Sequence, residues 1–252
     1  MNLRGNTIFI TGGGSGIGRG LAEAFHKLGN QVIIGGRRRE ALDRTVAANP
    51  GMAALVFDVT NPGSISAGAR QLIAAHPDLN VVINNAGVQY AVDFASVEPI
   101  DEDGFSAEID TNVYGVLRVT AAFLPHLKTR PAATIVNISS GLAYMPLARY
   151  AVYCATKAFV HSFSVSLRHQ LRRTGVRVVE LAPPWVATEL GGHPAVAPTD
   201  GRPGPMPLDD FIAAAMAELA TDAEELHIGT AQSLYAAAVN EGAGRIFARM
   251  NP

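Results

Sequence analysis

A tyrosine and a lysine four residues apart, Tyr153 and Lys157, carry the strongest chemical signal in this chain. On a helix that spacing puts both side chains on one face. The chain holds three lysines and six tyrosines, so the pairing is uncommon for its composition. A phenol, with a pKa of about 10, is a sluggish acid in water. An ammonium beside it favours the phenolate and brings the pKa toward neutrality, so the pair predicts a tyrosine that gives up and takes back a proton. Ser140 lies thirteen residues earlier. Its hydroxyl can donate to an oxygen on which negative charge develops, as when hydride reaches a carbonyl carbon. Together these groups can reduce a carbonyl or run the reverse oxidation. Ser139 is a second serine at the same place, whereas Tyr150 has no lysine four residues on.

Such groups need a scaffold. Short apolar runs at Thr7–Thr11, Gln31–Ile34, Ala53–Phe57, Val81–Asn84, Thr134–Ile138 and Val176–Leu181 read as strands buried on both faces. Helical stretches near 16–28, 39–48, 64–75, 103–127 and 154–173 alternate with them. This alternation predicts an α/β fold, a Rossmann-like doubly wound parallel sheet with helices on both faces, in one domain over residues 1–252. Ser140 then follows a strand at its carboxyl end, where such sheets bind ligands.

The first strand runs directly into Thr11-Gly12-Gly13-Gly14-Ser15-Gly16-Ile17-Gly18 and then a helix. Glycines here permit a tight turn and close approach to a pyrophosphate, which the helix N-terminus attracts. No Gly-Lys-Ser/Thr follows, which argues against a P-loop. The second strand ends in Gly35-Gly36 and then Arg37, Arg38 and Arg39, where an acidic residue would bind the ribose of NAD. A guanidinium suits the 2′-phosphate of NADP(H) instead. Arg37 is the principal candidate and Arg38 the second, while Arg39 reads as a solvated helix start.

The spacing Gly12-x-x-x-Gly16-x-Gly18 resembles the short-chain dehydrogenase/reductase family, whose hallmark at this point is Thr-Gly-x-x-x-Gly-Ile-Gly. Further motifs match in order and extend the resemblance from Thr7 to about Thr188. Asp58-Val59 is similar to the family pair whose acid hydrogen-bonds the adenine amino group, and Asn84-Asn85-Ala86-Gly87 is nearly verbatim a family signature. The resemblance implies that Ser140, not Ser139, is catalytic, that Tyr153 is the proton donor, and that Lys157 also holds the nicotinamide ribose. It implies that Asn112, in Thr111-Asn112-Val113-Tyr114-Gly115, holds a water linking Lys157 to solvent. It places Asn85, Ala86, Gly87, Pro183, Val186 and Thr188 at the cofactor, with the Thr188 hydroxyl at the nicotinamide carboxamide. Pro184 stands where the family has glycine, which puts the local backbone path in question. The expected activity is NADP(H)-dependent hydride transfer with a ketone, aldehyde or secondary alcohol. The alternatives are another chemistry on the same scaffold, such as enoyl reduction, or a non-catalytic NADP(H)-sensing protein. A sensor would tolerate loss of the catalytic residues, yet Asn112, Ser140, Tyr153 and Lys157 are all present.

Hydrophobic residues make up 48% of the chain, enough for a large core without a disulfide or metal staple. A net charge of −2 offers no footprint for nucleic acid or an anionic membrane. A lone cysteine, Cys154, reads as packing, and with no signal-like or bilayer-length apolar segment the expected location is cytoplasmic. His161 and His169 have no metal-ligand partners at fixed spacing and are expected to be structural or exposed. Tyr144, Met145, Trp185 and Leu190 are candidates for lining an apolar substrate pocket, with Trp185 leaning toward packing. The proline- and glycine-rich stretch within 188–209 reads as a substrate lid. A last strand is expected at Glu225–Gly229, followed by Thr230–Asn240 and a tail at Arg245–Met250. The outer faces of the long helices point to a homodimer or homotetramer.

Overall fold

Along β1 (Thr7–Thr11), Ile8 and Ile10 point to one side and Phe9 to the other, and all three are fully buried. That division continues through β2 (Gln31–Gly36), β4 (Leu79–Asn84), β5 (Ala133–Ile138) and β6 (Val176–Ala182), whereas β3 (Ala53–Val56) packs Ala53 and Leu55 on one side and exposes Ala54 and Val56 on the other, and β7 (Glu225–His227) buries Leu226 alone. The strands form one parallel sheet in the order β3-β2-β1-β4-β5-β6-β7. The order reverses between β1 and β4, which opens a crevice at their carboxyl ends. The structure is a computed structural model that describes residues 1–97, 99–100, 102–190 and 204–240.

Helices α1 (Gly16–Lys27), α2 (Arg39–Ala48) and α7 (Leu208–Leu219) cover the face carrying Ile8, Ile10, Val32, Ile34, Val136 and Leu181. Helices α3 (Pro62–Ala75), α5 (Gly115–Leu127) and α6 (Ala151–Leu171) cover the face carrying Phe9, Ile33, Val82, Ile135 and Val178. The remaining helices are α4 (Glu102–Ile109) and α8 (Thr230–Asn240). The layers are those of a Rossmann-like sheet.

β2 runs two residues past its expected end at Ile34, β4 begins two residues before Val81, and further elements differ from expectation as well. The single helix expected over 103–127 is divided by a π turn at Asp110–Tyr114, which separates α4 from α5. The extra residue of a π turn breaks the simple helical period, and such turns occur often at functional sites. Here the turn carries Asn112, while Val116, Val119 and Phe123 of α5 still face the sheet. Helix α7 was not anticipated, because the proline-rich run extends to Pro207 and obscures the helix that begins one residue later. Phe211, Ala215 and Leu219 recur at four-residue spacing and pack beside α1, where Gly20 lets Ile212 approach. β7 ends at His227, two residues short of expectation. Residues 191–203 of the expected lid and the Arg245–Met250 tail lie outside the described residues.

Among the described residues no helix is long and apolar enough to cross a membrane. None of their His, Cys, Asp and Glu side chains form a group of three or more that could hold a metal ion.

Candidate active site

The turn between β1 and α1 is built from backbone. Gly12 (φ 69°) and Gly16 (φ 52°) lie in the left-handed region that side chains disfavour. A Cβ on Gly18 would sit 2.4 Å from both Asn85 Nδ2 and the Gly12 carbonyl oxygen. Ser15 starts α1 without a side-chain cap, and no acidic residue occupies the first turn, so its N–H groups and dipole face an incoming anion unopposed. A dinucleotide pyrophosphate fits this cradle. Gly14 packs on Ala41, and Ile17 is half-buried.

Asn85 stitches this turn to β4. Its Nδ2 donates to the carbonyls of Thr11 (3.0 Å) and Gly12 (3.4 Å), and Thr11 Oγ1 accepts the N–H groups of Asn85 (3.0 Å) and Ala86 (3.1 Å). Two residues on, a Cβ at Gly87 would lie 3.3 Å from Asn112 Oδ1 and 3.6 Å from Lys157 Nζ. The fold therefore brings the Asn-Asn-Ala-Gly segment, Asn112 and Lys157 to one place. Thr188 reaches the opposite wall, with its Cγ2 3.4 Å from where a Gly16 Cβ would be.

At the end of β2, Arg37 is exposed, and Arg38 Nη2 donates to Ser15 Oγ at 3.0 Å. Arg38 thus stands at the glycine turn's flank, whereas Arg39 pairs with Asp43 along its own helix at 3.0 Å. Asp58 Oδ1 accepts from the Thr60 N–H (2.9 Å) and hydroxyl (2.8 Å), which sets the carboxylate at the end of β3. Val59 is buried against Gly115. Beyond β6, Pro183 accepts the Gly141 N–H at 2.9 Å. Met206 pairs alongside Val186 through Trp185 and Ala187, without using Val186's own N–H.

The chemical centre lies on the α6 side. Tyr153, Lys157 and Ser140 are all buried, and the Tyr153 hydroxyl hydrogen-bonds Ser140. Ser140 also accepts the Leu142 N–H at 3.1 Å, which fixes its rotamer. Lys157 Nζ donates to the Ile138 carbonyl at 2.9 Å and lies 5.6 Å from the centroid of the Tyr153 ring. Asn112 clamps the backbone of Val88 at both N–H and C=O (2.9 Å each) and donates to Thr156 at 3.1 Å. Its side chain therefore anchors the strap after Gly87.

Burial sets the electrostatics here. It pushes the Tyr153 phenol well above its ordinary value, against the Ser140 hydrogen bond, which pulls the other way. The expectation that Lys157 would draw this pKa down is therefore not met in the protein alone. The lysine is directed at a main-chain carbonyl, and desolvation of the phenolate dominates. Burial also lowers Lys157 to about 8, with Glu180 acting in the opposite sense.

Other candidates separate cleanly. Met145 is fully buried and cannot line an open pocket, whereas Trp185 (48% exposed) is less packed than expected and Leu190 is exposed. Cys154 is buried, with its sulfur at the Leu147 backbone. His161, expected to be structural or exposed, pairs with Glu180 at 2.8 Å, and Tyr144 donates to the same carboxylate at 2.9 Å. Two buried acids had escaped notice. Glu108 accepts the Tyr90 N–H at 2.6 Å, one helical turn before Asn112. Glu180 interrupts the otherwise apolar centre of β6, VRVVELA, and that interruption was the available signal.

The sequence profile of the short chain dehydrogenases matches residues 6–194. The chain belongs to the short-chain dehydrogenase/reductase family. It is 45% identical over 191 residues to the oxidoreductase DltE of Bacillus subtilis strain 168, covering 75% of each chain. A short-chain dehydrogenase of Burkholderia cenocepacia in complex with NADP superposes with a TM-score of 0.83 at 27% identity, over 99% of both chains. A 3-ketoacyl-(acyl-carrier-protein) reductase of Brucella melitensis complexed with NADH superposes with a TM-score of 0.76 at 26% identity, over 88% of this chain and 93% of that one. A shared fold fixes neither the cofactor form nor the substrate, so both must be argued from local residues.

Proposed function

We propose that this chain transfers hydride between NADP(H) and a ketone, aldehyde or secondary alcohol, with Tyr153 exchanging the proton at the substrate oxygen. The observation that carries the proposal is the buried Tyr153–Ser140 hydrogen bond beside Lys157, at the carboxyl ends of the strands and next to the glycine turn. A bound nicotinamide dinucleotide supplies or accepts the hydride. Gly12, Gly14, Ser15, Gly16, Ile17 and Gly18 form the cradle for its pyrophosphate, and Arg37 and Arg38 supply positive charge for the 2′-phosphate. Asp58 and Val59 hold the adenine end, and Asn85, Ala86, Gly87, Pro183, Val186 and Thr188 hold the nicotinamide end.

The chain's own groups then act on the substrate oxygen. Ser140 donates to it, and Tyr153 passes its proton to it as negative charge builds. A phenol held protonated by burial suits the reductive direction at neutral pH. Lys157, with a pKa of about 8, remains largely charged at pH 7 and favours the phenolate left behind. Asn112 keeps the Val88 strap in place beside Lys157. The exposed apolar side chains of Trp185 and Leu190 favour an apolar or aromatic substrate. The groove of about 400 Å³ lined by Phe94, Ile109, Val113, Val152 and Ala155 supports homo-oligomerisation across α4 and α6, which light scattering in solution tests.

A spectrophotometric screen of NADPH oxidation against diverse ketones and aldehydes tests the activity. Tyr153→Phe should abolish turnover, and full turnover in that variant would remove Tyr153 from the proton-donor role. Equal affinity for NADH and NADPH, unchanged by Arg37→Ala, would overturn the 2′-phosphate assignment.

A further inference from the structure

A fully buried glutamate on a central strand is costly unless partners satisfy it, and so is a buried ammonium. Among the described residues one of each occurs where α6 packs over β6, Lys157 on the helix and Glu180 on the strand. Glu180 is 0% exposed, on the face of β6 that α6 covers. Its two oxygens are engaged separately, Oε1 by the Tyr144 hydroxyl at 2.9 Å and Oε2 by His161 Nδ1 at 2.8 Å. Tyr144 is itself held by His227 Nε2 at 3.0 Å, and His227 stacks on Tyr235 with ring centroids 4.1 Å apart. His161 lies four residues beyond Lys157, so both project from the same face of α6 toward the sheet. The Ile138 carbonyl that receives Lys157 Nζ belongs to β5, which pairs with β6 so that Asn137 lies beside Glu180 and Ile138 beside Leu181.

We propose that Glu180 is a positioning residue for Lys157: an ionised carboxylate, locked by Tyr144 and His161, that serves as the interior counter-charge keeping the lysine an ammonium. Lys157 otherwise has a neutral carbonyl as its acceptor, which satisfies one N–H but does not balance a charge. The carboxylate survives burial because its hydrogen bonds are with groups that favour its charged form. Burial alone would raise its pKa, but the His161 contact above all holds it below the ordinary value. The Glu180 hydrogen bond in turn raises His161, and burial keeps Tyr144 a neutral donor. The titratable and charged groups around the pair are Tyr153, Lys157, His161 and Arg168 from α6, Tyr144 from the segment after β5, Glu225 and His227 from β7, and Tyr235 from α8. Burial lowers His227, which leaves it neutral beside Tyr144.

The inference rests on the role proposed for Lys157, but its central claim can be tested without turnover. With three lysines, a 13C-lysine-labelled chain gives a simple NMR spectrum, and Lys157→Met assigns the Lys157 signal. In the wild type Lys157 should titrate with a midpoint near 8. Glu180→Gln, which is isosteric and keeps hydrogen-bonding capacity, should lower that midpoint by roughly half a pH unit or more, leaving Lys27 and Lys128 in place. Glu180→Asp, which retains the charge, should restore most of the shift. An unchanged Lys157 midpoint in a folded Glu180→Gln protein would overturn the proposal. Should that variant not fold, 13C-glutamate labelling of the wild type decides: Glu180 must be ionised at pH 7, and a protonated Glu180 would overturn the proposal. With any carbonyl that is reduced, Glu180→Gln should also move the alkaline limb of kcat/KM to lower pH, whereas a merely structural loss would lower its height alone. Retained turnover in Tyr153→Phe would refute the reaction while leaving the lysine titration to be judged separately.

Discussion

The two halves of the candidate site solve the problem of holding charge in opposite ways. Around β1 and β2 the protein uses backbone: left-handed glycines, an uncapped helix start and exposed arginines that face solvent. Around β4, β5 and β6 it uses buried side chains, with Tyr153, Lys157, Asn112 and Glu180 all removed from water. In the first half charges are cheap to hold and weakened by salt; in the second they are few, mutually dependent and displaced from their ordinary pKa values. The contrast suits one half to binding a charged ligand and the other to moving a proton.

This contrast can be broken by experiment. In the buried half, Ser140→Ala should reduce kcat on the order of 10² to 10³-fold with little change in NADPH affinity, because it removes a donor aimed at developing negative charge. Stopped-flow measurement of NADPH oxidation checks this, and an equal loss of NADPH binding would blur the division between the halves.

The next effect is one of stability with pH. Lys157 is lowered from 10.5 to about 8 by burial, so between those values the unfolded chain binds more protons than the folded one, and stability rises with pH. Relative to Lys157→Met, the wild type should gain on the order of 3 kcal/mol of unfolding free energy between pH 8 and pH 10.5. Urea melts across that range would show it. A flat difference would mean that the lysine is not desolvated.

In the backbone half, Gly18→Ala forces a Cβ to within 2.4 Å of the Gly12 carbonyl and the Asn85 amide. It should cost about 2 kcal/mol of stability and weaken cofactor binding in step, measurable by urea melts and fluorescence titration. The smallest effect belongs to solvent-facing charge. Arg37→Ala should weaken NADPH binding about tenfold while sparing NADH, and the difference should shrink as salt is raised.

Much of the scaffold was legible before any coordinates. The strands follow from β-branched apolar runs, and α2 begins and ends where expected at Arg39 and Ala48. The same holds for the glycine turn, because Gly12 and Gly16 are read through backbone freedom, a property of the residue itself. Less legible was α7, hidden behind prolines, and the π turn that presents Asn112, because one extra residue shifts the helical period only once and the short runs on either side each still read as helix.

The chain's own residue order determined its family, its parallel sheet and the candidates Ser140, Tyr153 and Lys157, since spacing on a strand or helix assigns side chains to a face without reference to distant partners. Only the tertiary structure decided what those groups experience. Burial raises Tyr153 rather than lowering it, Lys157 turns to the Ile138 carbonyl, and Glu180, Tyr144 and His161 meet although they come from three separate elements. Desolvation and charge pairing depend on what lies across space, and local spacing carries no information about that.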